Sequence, residues 1–173
     1  MVRTQDEYEA VVTLRTNAYV RAGKIAPDEH DSMRDEYDEN AHILVGWHLA
    51  KPVASVRSMA HEPHVRWEYE RFLKLDSPAL PPKPDTAEIT RVCVDPAWAG
   101  TDLSLRLFQK TALEVLRLGK RHILGSATRS ALRLYTRIGC RPTDLQFRYA
   151  ALGGGTHHIF VADVVQGVGG YGL

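Results

Sequence analysis

The sequence predicts one mixed α/β domain built around a single sheet. Its 173 residues are 44% apolar and 25% charged, which is enough apolar material for one buried core. Segments with a helical period alternate with short strand-like runs, in the order helix, two strands, helix, strand, helix, strand, helix, two strands. No repeat, linker or change of composition divides the chain. We therefore expect one domain over residues 1–166 and a flexible glycine-rich tail over 167–173.

The N-terminal half contains two predicted helices and a strand pair. Apolar residues fall on one face over Gln5–Ala22, which indicates an amphipathic helix. A polar, acidic loop with one helical turn is expected at Gly23–Asn40. The runs His42–Ala50 and Pro52–His61 are typical of two strands joined by a tight turn. Apolar residues spaced among charges predict a second helix over His64–Leu75.

The C-terminal half is predicted to alternate strands and helices. Four prolines indicate a loop at Asp76–Asp85, and Thr86–Val94 then forms a strand. Apolar residues cover half of the helical wheel over Thr101–Leu118, and Gly119 suits the end of that helix. The remaining elements are a strand at His122–Ala127, a helix at Ser130–Ile138 and two strands at Thr143–Leu152 and His157–Val165.

Composition excludes several classes of protein. Lys and Arg number 22 against 21 Asp and Glu, so the basic surface of a nucleic-acid-binding protein is absent. Two distant cysteines, Cys93 and Cys140, do not form a disulfide scaffold, and the N-terminus lacks an apolar signal core. No apolar run approaches the length that spans a bilayer. We expect a reduced, cytoplasmic protein with no membrane span.

Two segments carry the chemistry of the C-terminal half. In the first, Ala87–Phe108, a strand runs into a turn at Gly100 and a helix starts directly after it, so that unpaired N–H groups could bind a phosphate. Any strand–turn–helix has this pattern, and Asp102 in the first turn would repel an anion. In the second, Ser126–Pro142, Tyr135 lies on the apolar face of a helix, where its hydroxyl needs a partner or a cavity.

Together these two segments resemble the GNAT superfamily of N-acyltransferases. That family has a V-x-P-x-x-x-G loop, which holds the cofactor pyrophosphate, and a later L-Y-x-x-x-G helix, whose tyrosine lies near the thiol leaving group. The resemblance implies a mostly antiparallel sheet flanked by helices, with central parallel strands that splay to admit a pantetheine arm. The matching residues are Val94, Pro96 and Gly100, then Leu134, Tyr135 and Gly139, with Cys140 in place of the usual aromatic residue.

The loop departs from the family pattern. The family has a basic residue or glutamine before the first glycine and further glycines after it, whereas this chain has Ala99, Asp102 and Ser104. An acid at the place where a pyrophosphate approaches disfavours strong coenzyme A binding. By resemblance, the acyl donor contacts Val92, Cys93, Val94, Gly100, Thr101, Asp102 and Leu103.

The N-terminal half resembles one branch of this superfamily, the acyl-homoserine-lactone synthases and long-chain N-acyl amino acid synthases. The shared pattern is R-x-x-x-Y, D-x-x-D, a strand arginine and E-x-x-R, and it extends the resemblance over about Leu14–Val161. The matches are Arg15, Tyr19, Asp35, Asp38, Arg57, Glu88 and Arg91. The resemblance implies acyl carrier protein as donor, in place of or beside coenzyme A, and assigns all of these residues except Glu88 to the substrate site. The same charges would equally form a structural salt-bridge network.

The expected reaction is attack of an amine on a thioester. Glu88 is the candidate base, acting through water, or else a structural partner of an arginine. Strand alternation places Glu88 and Arg91 on opposite faces. Tyr135 is the candidate acid for the departing thiolate. His157 and His158 alternate likewise, so a shared metal ion is not expected.

The sequence therefore predicts an N-acyltransferase that moves a fatty acyl group from an acyl carrier protein thioester to a primary amine, most simply that of an amino acid. The alternatives are an acetyl-coenzyme A dependent acetyltransferase of a small amine or peptide, and a non-catalytic module that binds an acyl carrier or coenzyme A. No tightly bound cofactor or metal is expected, and a lipid product would allow transient membrane contact. A basic patch for the carrier protein could form from a set of cationic residues that could equally be ordinary solvated surface: Arg117, Lys120, Arg121, Arg129 and Arg133.

Overall fold

The computed structural model describes residues 1–29 and 33–166 of the chain. The predicted tail, 167–173, lies outside the described residues. The helices are α1 (Gln5–Arg21), α2 (Leu103–Arg117) and α3 (Arg129–Arg137). The strands are β1 (His42–His48), β2 (Lys51–Ala60), β3 (Thr86–Val94), β4 (His122–Ala127), β5 (Arg141–Tyr149) and β6 (Gly155–Asp163).

The six strands form one sheet in the order β1-β2-β3-β4-β6-β5. The pair β3–β4 is parallel and the other four pairs are antiparallel. Helix α1 packs on one face of the sheet, while α2 and α3 pack on the other. Consecutive residues of β4 show the two layers, because Ile123 belongs to the core under α2 and Leu124 to the core under α1. The predicted single, mixed and mostly antiparallel sheet is confirmed.

The predicted helix over His64–Leu75 is wrong. Only a single 3-10 turn forms there, at Glu68–Arg71. Glu68 and Tyr69 donate their backbone N–H groups to the Glu88 carboxylate, at 2.9 and 2.8 Å, rather than to an earlier turn of a helix. Trp67, Glu68 and Tyr69 are buried one after another, whereas an amphipathic helix would turn part of any three consecutive residues toward solvent.

Two predicted connections differ in detail. The β1–β2 turn lies at Leu49 and Ala50, both with positive φ (45° and 64°), instead of at residues 50–52. Positive φ at both central residues is the geometry that a two-residue hairpin requires. The penultimate strand begins at Arg141 and ends at Tyr149, because a 3-10 turn at Ala150–Leu152 replaces its predicted end.

Gly125 lies where β4 stops pairing with β3. A Cβ atom at this position would stand 2.4 Å from Cζ of Phe160, its partner on β6. The Phe160 ring in turn stacks on Tyr135 of α3, with centroids 4.6 Å apart. A residue without a side chain is therefore required for the Phe160 ring to lie against the sheet and position Tyr135.

We expect Gly125→Ala to lower the free energy of unfolding by about 1–3 kcal/mol, because the Phe160 and Tyr135 rings must both move. Urea denaturation measures this change. The matched control is Gly46→Ala in β1, where the new Cβ would lie 3.5 Å from its nearest neighbour, Ala54, and where the change should stay within about 1 kcal/mol. Equal losses in the two variants would contradict this explanation.

Candidate active site

The parallel strands β3 and β4 separate part of the way along their length. They pair from Thr86 and His122 as far as Ile89 and Gly125. Beyond that point, β3 pairs only with β2, and Ser126 and Ala127 pair only with β6. The predicted splaying of the central strands is therefore present, and we call the place where they part the fork.

The Tyr69 hydroxyl lies at the fork. It donates a 2.8 Å hydrogen bond to the carbonyl of Ile89, the last paired residue of β3. Burial raises the pKa of the hydroxyl well above the ordinary value, although Ser126 of β4, which lies on its other side, lowers that pKa. The hydroxyl thus satisfies the Ile89 carbonyl at the position where the parallel ladder stops.

Strand β3 is irregular at Arg91, whose φ is +52°. The register with β2 shifts at the same place, between Ser55 and Arg57, as in a β-bulge. The extra residue returns Arg91 to the face that carries Glu88, on the α1 side of the sheet. The expectation from simple alternation, that Glu88 and Arg91 face opposite ways, is therefore wrong.

A cavity of about 100 Å³ opens at the fork. We call it the fork cavity. Its polar lining includes two cationic side chains, Arg91 and Lys24, and no carboxylate appears among the lining residues that the structure describes. Burial lowers the pKa of Lys24, and Arg91 lowers it further. The other lining residues are Tyr19, Tyr69, Ile89, Thr90, Val92, Ser126, Ala127, Thr128, Ala131, Tyr135, Tyr149, Leu152, His157 and Phe160.

A second cavity, of about 220 Å³, lies between β3, α2 and α3. We call it the apolar cavity, since its lining is mostly aliphatic and aromatic, with Val56, Leu107 and Phe108 among its residues. It shares part of its wall with the fork cavity. The shared residues are Ile89, Val92, Ala131 and Tyr135. An acyl donor between α2 and α3 and an acceptor on the α1 side could therefore meet at the fork.

Tyr135 is one of these shared residues. Its ring is held between Phe160 and Phe108, at centroid distances of 4.6 and 5.9 Å. Burial raises the pKa of its hydroxyl above the ordinary tyrosine value, so the hydroxyl is protonated at neutral pH. In this position it can act as a proton donor to a group in either cavity.

A buried ionic network lies beside the fork cavity. Asp35 bridges Arg57 and Arg91, whose Nη2 atom is 2.7 Å from the carboxylate. Glu68 also bridges these two arginines. Asp38 joins Arg57 to Arg15, which it contacts at 2.8 Å. Three arginines thus oppose three carboxylates.

The network contains five of the six residues predicted to bind substrate. The sixth, Tyr19, lines the fork cavity instead, and it is the Tyr8 hydroxyl that donates to Asp38, at 2.8 Å. Arg15 and Arg57 are fully buried. Of the six predicted residues, Tyr19 and Arg91 line the fork cavity and none lines the apolar cavity.

Glu88 is fully buried and lines neither cavity. Burial raises its pKa to about 8, although the N–H groups of Tyr69 and Glu68 oppose the shift. Its carboxylate fixes the segment that carries Glu68 into the ionic network and Tyr69 into the fork. This geometry favours a structural role for Glu88, although its hydrogen-bond partners are two backbone N–H groups and not the predicted arginine.

Of the seven residues predicted to bind the acyl donor, three line the apolar cavity and the other four, at positions 100–103, do not. Val92, Cys93 and Val94 line this cavity, and β3 then ends in a 3-10 turn at Pro96–Trp98. Gly100 has φ +82°, a conformation that favours glycine. The helix start itself is Thr101, Asp102 and Leu103. The Thr101 hydroxyl accepts from the Leu103 N–H, and Asp102 pairs with Arg106 at 2.7 Å.

Several lining residues were not found from the sequence. Lys24 and Tyr149 are not part of any sequence motif. Tyr69 fell within the wrongly predicted helix, as did Glu68 of the ionic network. Ser126 and His157 come together, at 3.2 Å, only through β4–β6 pairing. The sequence signal that could have indicated a lining residue was an isolated polar residue near the end of a strand, such as Ser126.

Two features are absent from the described ranges, 1–29 and 33–166. No group of three or more His, Cys, Asp or Glu side chains there could hold a metal ion. No helix in the same ranges has the length and apolar character needed to cross a membrane.

Comparison with known proteins agrees with this geometry. A family model described as N-acyl amino acid synthase FeeM matches residues 10–156. No curated protein sequence matches the chain. Among solved structures, FeeM from uncultured soil microbes is 11% identical, with a TM-score of 0.69 over 96% of this chain and 90% of that one.

Two further structures show the same fold. BjaI, a CoA-dependent acyl-homoserine lactone synthase, is 17% identical, with a TM-score of 0.71 over 95% of this chain and 80% of its own. An acyl-CoA N-acyltransferase from Pseudomonas aeruginosa is 16% identical, with a TM-score of 0.63 and 92% of both chains covered. Because the family model covers most of the sequence, the chain belongs to the FeeM family of N-acyl amino acid synthases and is an N-acyltransferase with the GNAT fold.

Proposed function

We propose that the protein transfers a fatty acyl group from an acyl carrier protein thioester to the α-amine of a free amino acid. The observation that carries this proposal is the fork cavity, which has Arg91 and Lys24 in its wall and no carboxylate among its described lining residues. Such a cavity favours an anionic acceptor. An amino acid supplies a carboxylate next to its amine, whereas a peptide lysine does not.

Arg91 and Lys24 differ in the contacts that their charged groups make. Arg91 is already bonded to Asp35 and Glu68 and donates to the Tyr149 hydroxyl at 2.9 Å. The Lys24 ammonium lies 5.2 Å from the centroid of the Tyr19 ring. We therefore assign Lys24 as the cation that pairs with the acceptor carboxylate, and Arg91 as a fixed positive charge that faces it.

The donor would enter from the other face of the sheet. The apolar cavity suits an acyl chain or pantetheine arm, since its wall is built from residues such as Leu107, Phe108 and Ile138. Beyond the fork, the edge of β3 that faces β4 has no strand partner, so its N–H groups can stabilise the thioester oxyanion. Tyr135 then protonates the departing thiolate.

Two features favour a carrier protein over coenzyme A. Asp102 places an acid at the start of α2, where a pyrophosphate would approach. Helix α3 carries Arg129 and Arg133, four residues apart, and its sequence RSALRLYTR contains no acid. Like charges at this spacing destabilise a helix by about 0.2–0.5 kcal/mol per pair, which a partner with an acidic surface would offset.

The basic patch in this proposal is smaller than the sequence predicted. Lys120 donates to the Pro84 carbonyl at 2.8 Å, and Arg121 pairs with Asp163 at 2.8 Å. Arg117 lies 3.6 Å from Glu114. Arg129 and Arg133 are exposed, and α3 also lines both cavities through Ala131 and Tyr135.

We also propose that residues 1–166 act as one acyltransferase domain, because both cavities are walled by the same sheet. A cytoplasmic location is compatible with Cys93 and Cys140, which are unpaired thiols.

The activity is tested with a panel of acyl carrier protein and coenzyme A thioesters, crossed with amino acids and their decarboxylated amines, with products identified by mass spectrometry. We expect amides of an amino acid to dominate. Lys24→Gln should raise KM for the amino acid about 10- to 100-fold and leave KM for the decarboxylated amine unchanged, because a charged hydrogen bond is worth about 1.5–3 kcal/mol.

Lys110→Gln on the exposed side of α2 is the matched control for Lys24→Gln and should leave both KM values unchanged. A wild-type preference for amines without a carboxylate would contradict the proposed acceptor. Turnover with acetyl-coenzyme A alone would favour the acetyltransferase alternative.

The carrier protein is tested by charge reversal on α3. Arg129→Glu/Arg133→Glu should raise KM for the acyl carrier protein thioester at least about tenfold, with no change for an acyl thioester of a short pantetheine analogue. Arg3→Glu is the control, because this exposed residue lies far from α3. It precedes α1 and lies next to the β1 edge of the sheet, which is opposite the β5 edge. Equal effects on the two donors would argue against a protein contact at α3.

Glu88→Gln separates the structural role of Glu88 from a catalytic one. The hydroxyl oxygen of a protonated Glu88 carboxyl can still accept an N–H bond, whereas the amide nitrogen of glutamine cannot. One of the two bonds from Glu68 and Tyr69 is therefore lost, and we expect a loss of about 1–3 kcal/mol in unfolding free energy at pH 5. A folded pKa raised to about 8 contributes stability that is fully present below the unfolded pKa and is lost as pH rises through 8. The difference between wild type and variant should therefore shrink toward pH 8.

Chemical denaturation at pH 5 and pH 8 measures this difference, and kcat is measured at a temperature where the variant is folded. A structural role predicts a kcat within a few-fold of wild type. A loss of kcat of more than about 100-fold in folded protein would restore Glu88 as the base.

A further inference from the structure

We propose that His157 is the proton acceptor of the transfer reaction and takes the proton of the attacking amine at Nε2. This inference rests on the proposed function, which needs a base in the fork cavity, where Glu88 is absent. His157 is buried in β6 and lines that cavity together with Ser126, Lys24 and Arg91.

The imidazole is held firmly by its neighbours. Its ring centroid lies 5.5 Å from that of Tyr149 and 5.7 Å from that of Phe147. Nδ1 lies 3.2 Å from the Ser126 hydroxyl, whereas Nε2 is buried without a hydrogen-bond partner among the described residues. A buried nitrogen with no partner is costly, and a group bound in the cavity would remove that cost.

The contact with Ser126 is consistent with one tautomer of the ring. The Ser126 hydroxyl can accept a hydrogen bond, so His157 can donate to it from Nδ1–H, and Nε2 then keeps a bare lone pair. We assign this tautomer to the active form.

The surroundings keep the imidazole neutral. Burial lowers the pKa of His157 to about 4, and the charges of Lys24 and His158 lower it further. A neutral imidazole with a bare Nε2 is the form that can accept a proton at neutral pH.

The reaction balances with this assignment. The neutral amine nitrogen bonds to the thioester carbon, and the carbonyl π electrons move to oxygen. The nitrogen becomes positively charged and loses one proton to Nε2. The oxyanion then reforms the carbonyl and expels the thiolate, which takes a proton from Tyr135, and the imidazolium returns its proton to Tyr135 through solvent in the opened site. The products are an amide and a thiol.

His157→Phe retains an aromatic ring between Tyr149 and Phe147 but removes both nitrogens. We expect kcat with an amino acid to fall about 10²- to 10⁴-fold. With a hydroxylamine acceptor, whose addition product loses its proton without a base, the loss should stay below about tenfold. His158→Gln, at the next position on the opposite face of β6, is the control and should keep the wild-type kcat with both acceptors.

Equal losses for the two acceptors, or no loss, would overturn the assignment. An independent measurement uses the ¹⁵N shifts of the His157 ring, assigned by their disappearance in His157→Phe. We expect protonated Nδ1 and bare Nε2 at pH 7, and a proton on Nε2 would overturn the proposal. The NMR measurement needs no turnover, so it tests the tautomer of His157 independently of the proposed function. If the proposed function fails instead, the wild-type protein is inactive across the whole thioester and amine panel.

Discussion

The Tyr69 hydroxyl replaces a rung of the parallel ladder at the fork, and the active cavity depends on that replacement. Two strands cannot separate inside a protein without leaving backbone N–H and C=O groups unpaired, at a cost of about 1–3 kcal/mol each. Tyr69 donates to the carbonyl of Ile89, the last paired residue of β3, and lies beside Ser126 of β4. One side chain thus satisfies the open end of the ladder and forms part of the polar wall of the opening.

Tyr69 is held in place by charged groups behind it. Glu88 binds the N–H groups of Glu68 and Tyr69, and Glu68 bridges Arg57 and Arg91. In such a network the loss of one partner leaves a buried charge uncompensated, which typically costs about 3–5 kcal/mol. The acidic and basic motifs of the N-terminal half thus form one connected support, and only Arg91 extends from that ionic network to the cavity wall.

The sequence predicted the elements whose pattern is local. The strands Thr86–Val94 and His122–Ala127 have the predicted bounds, because β-branched and apolar runs between loop signals define them. The bulge at Arg91 was missed, since positive φ at an arginine has no sequence signature, and it reversed the expected faces of Glu88 and Arg91. The segment around Tyr69 was missed because its N–H groups bond to a distant carboxylate, a tertiary contact that overrides local spacing. The residues in sequence motifs were identified. Lys24 and Ser126 were missed, because their positions in the cavity wall depend on strand pairing and loop placement.

The two faces of the sheet have opposite chemical character, and the reaction that we propose uses both. On the α2 and α3 side, an apolar cavity suits a fatty chain, and basic charge lies on the exposed part of α3. On the α1 side, the ionic network pairs three arginines with three carboxylates, so its charges largely cancel. The positive charge of Lys24 is not balanced by the network. An acceptor carboxylate attracted to Lys24 brings its adjacent amine close to the fork, where the neutral His157 lies in the same wall. The sheet therefore separates two dissimilar substrates and leaves the opening beside Tyr69 as the place where the nitrogen and the thioester carbon can meet.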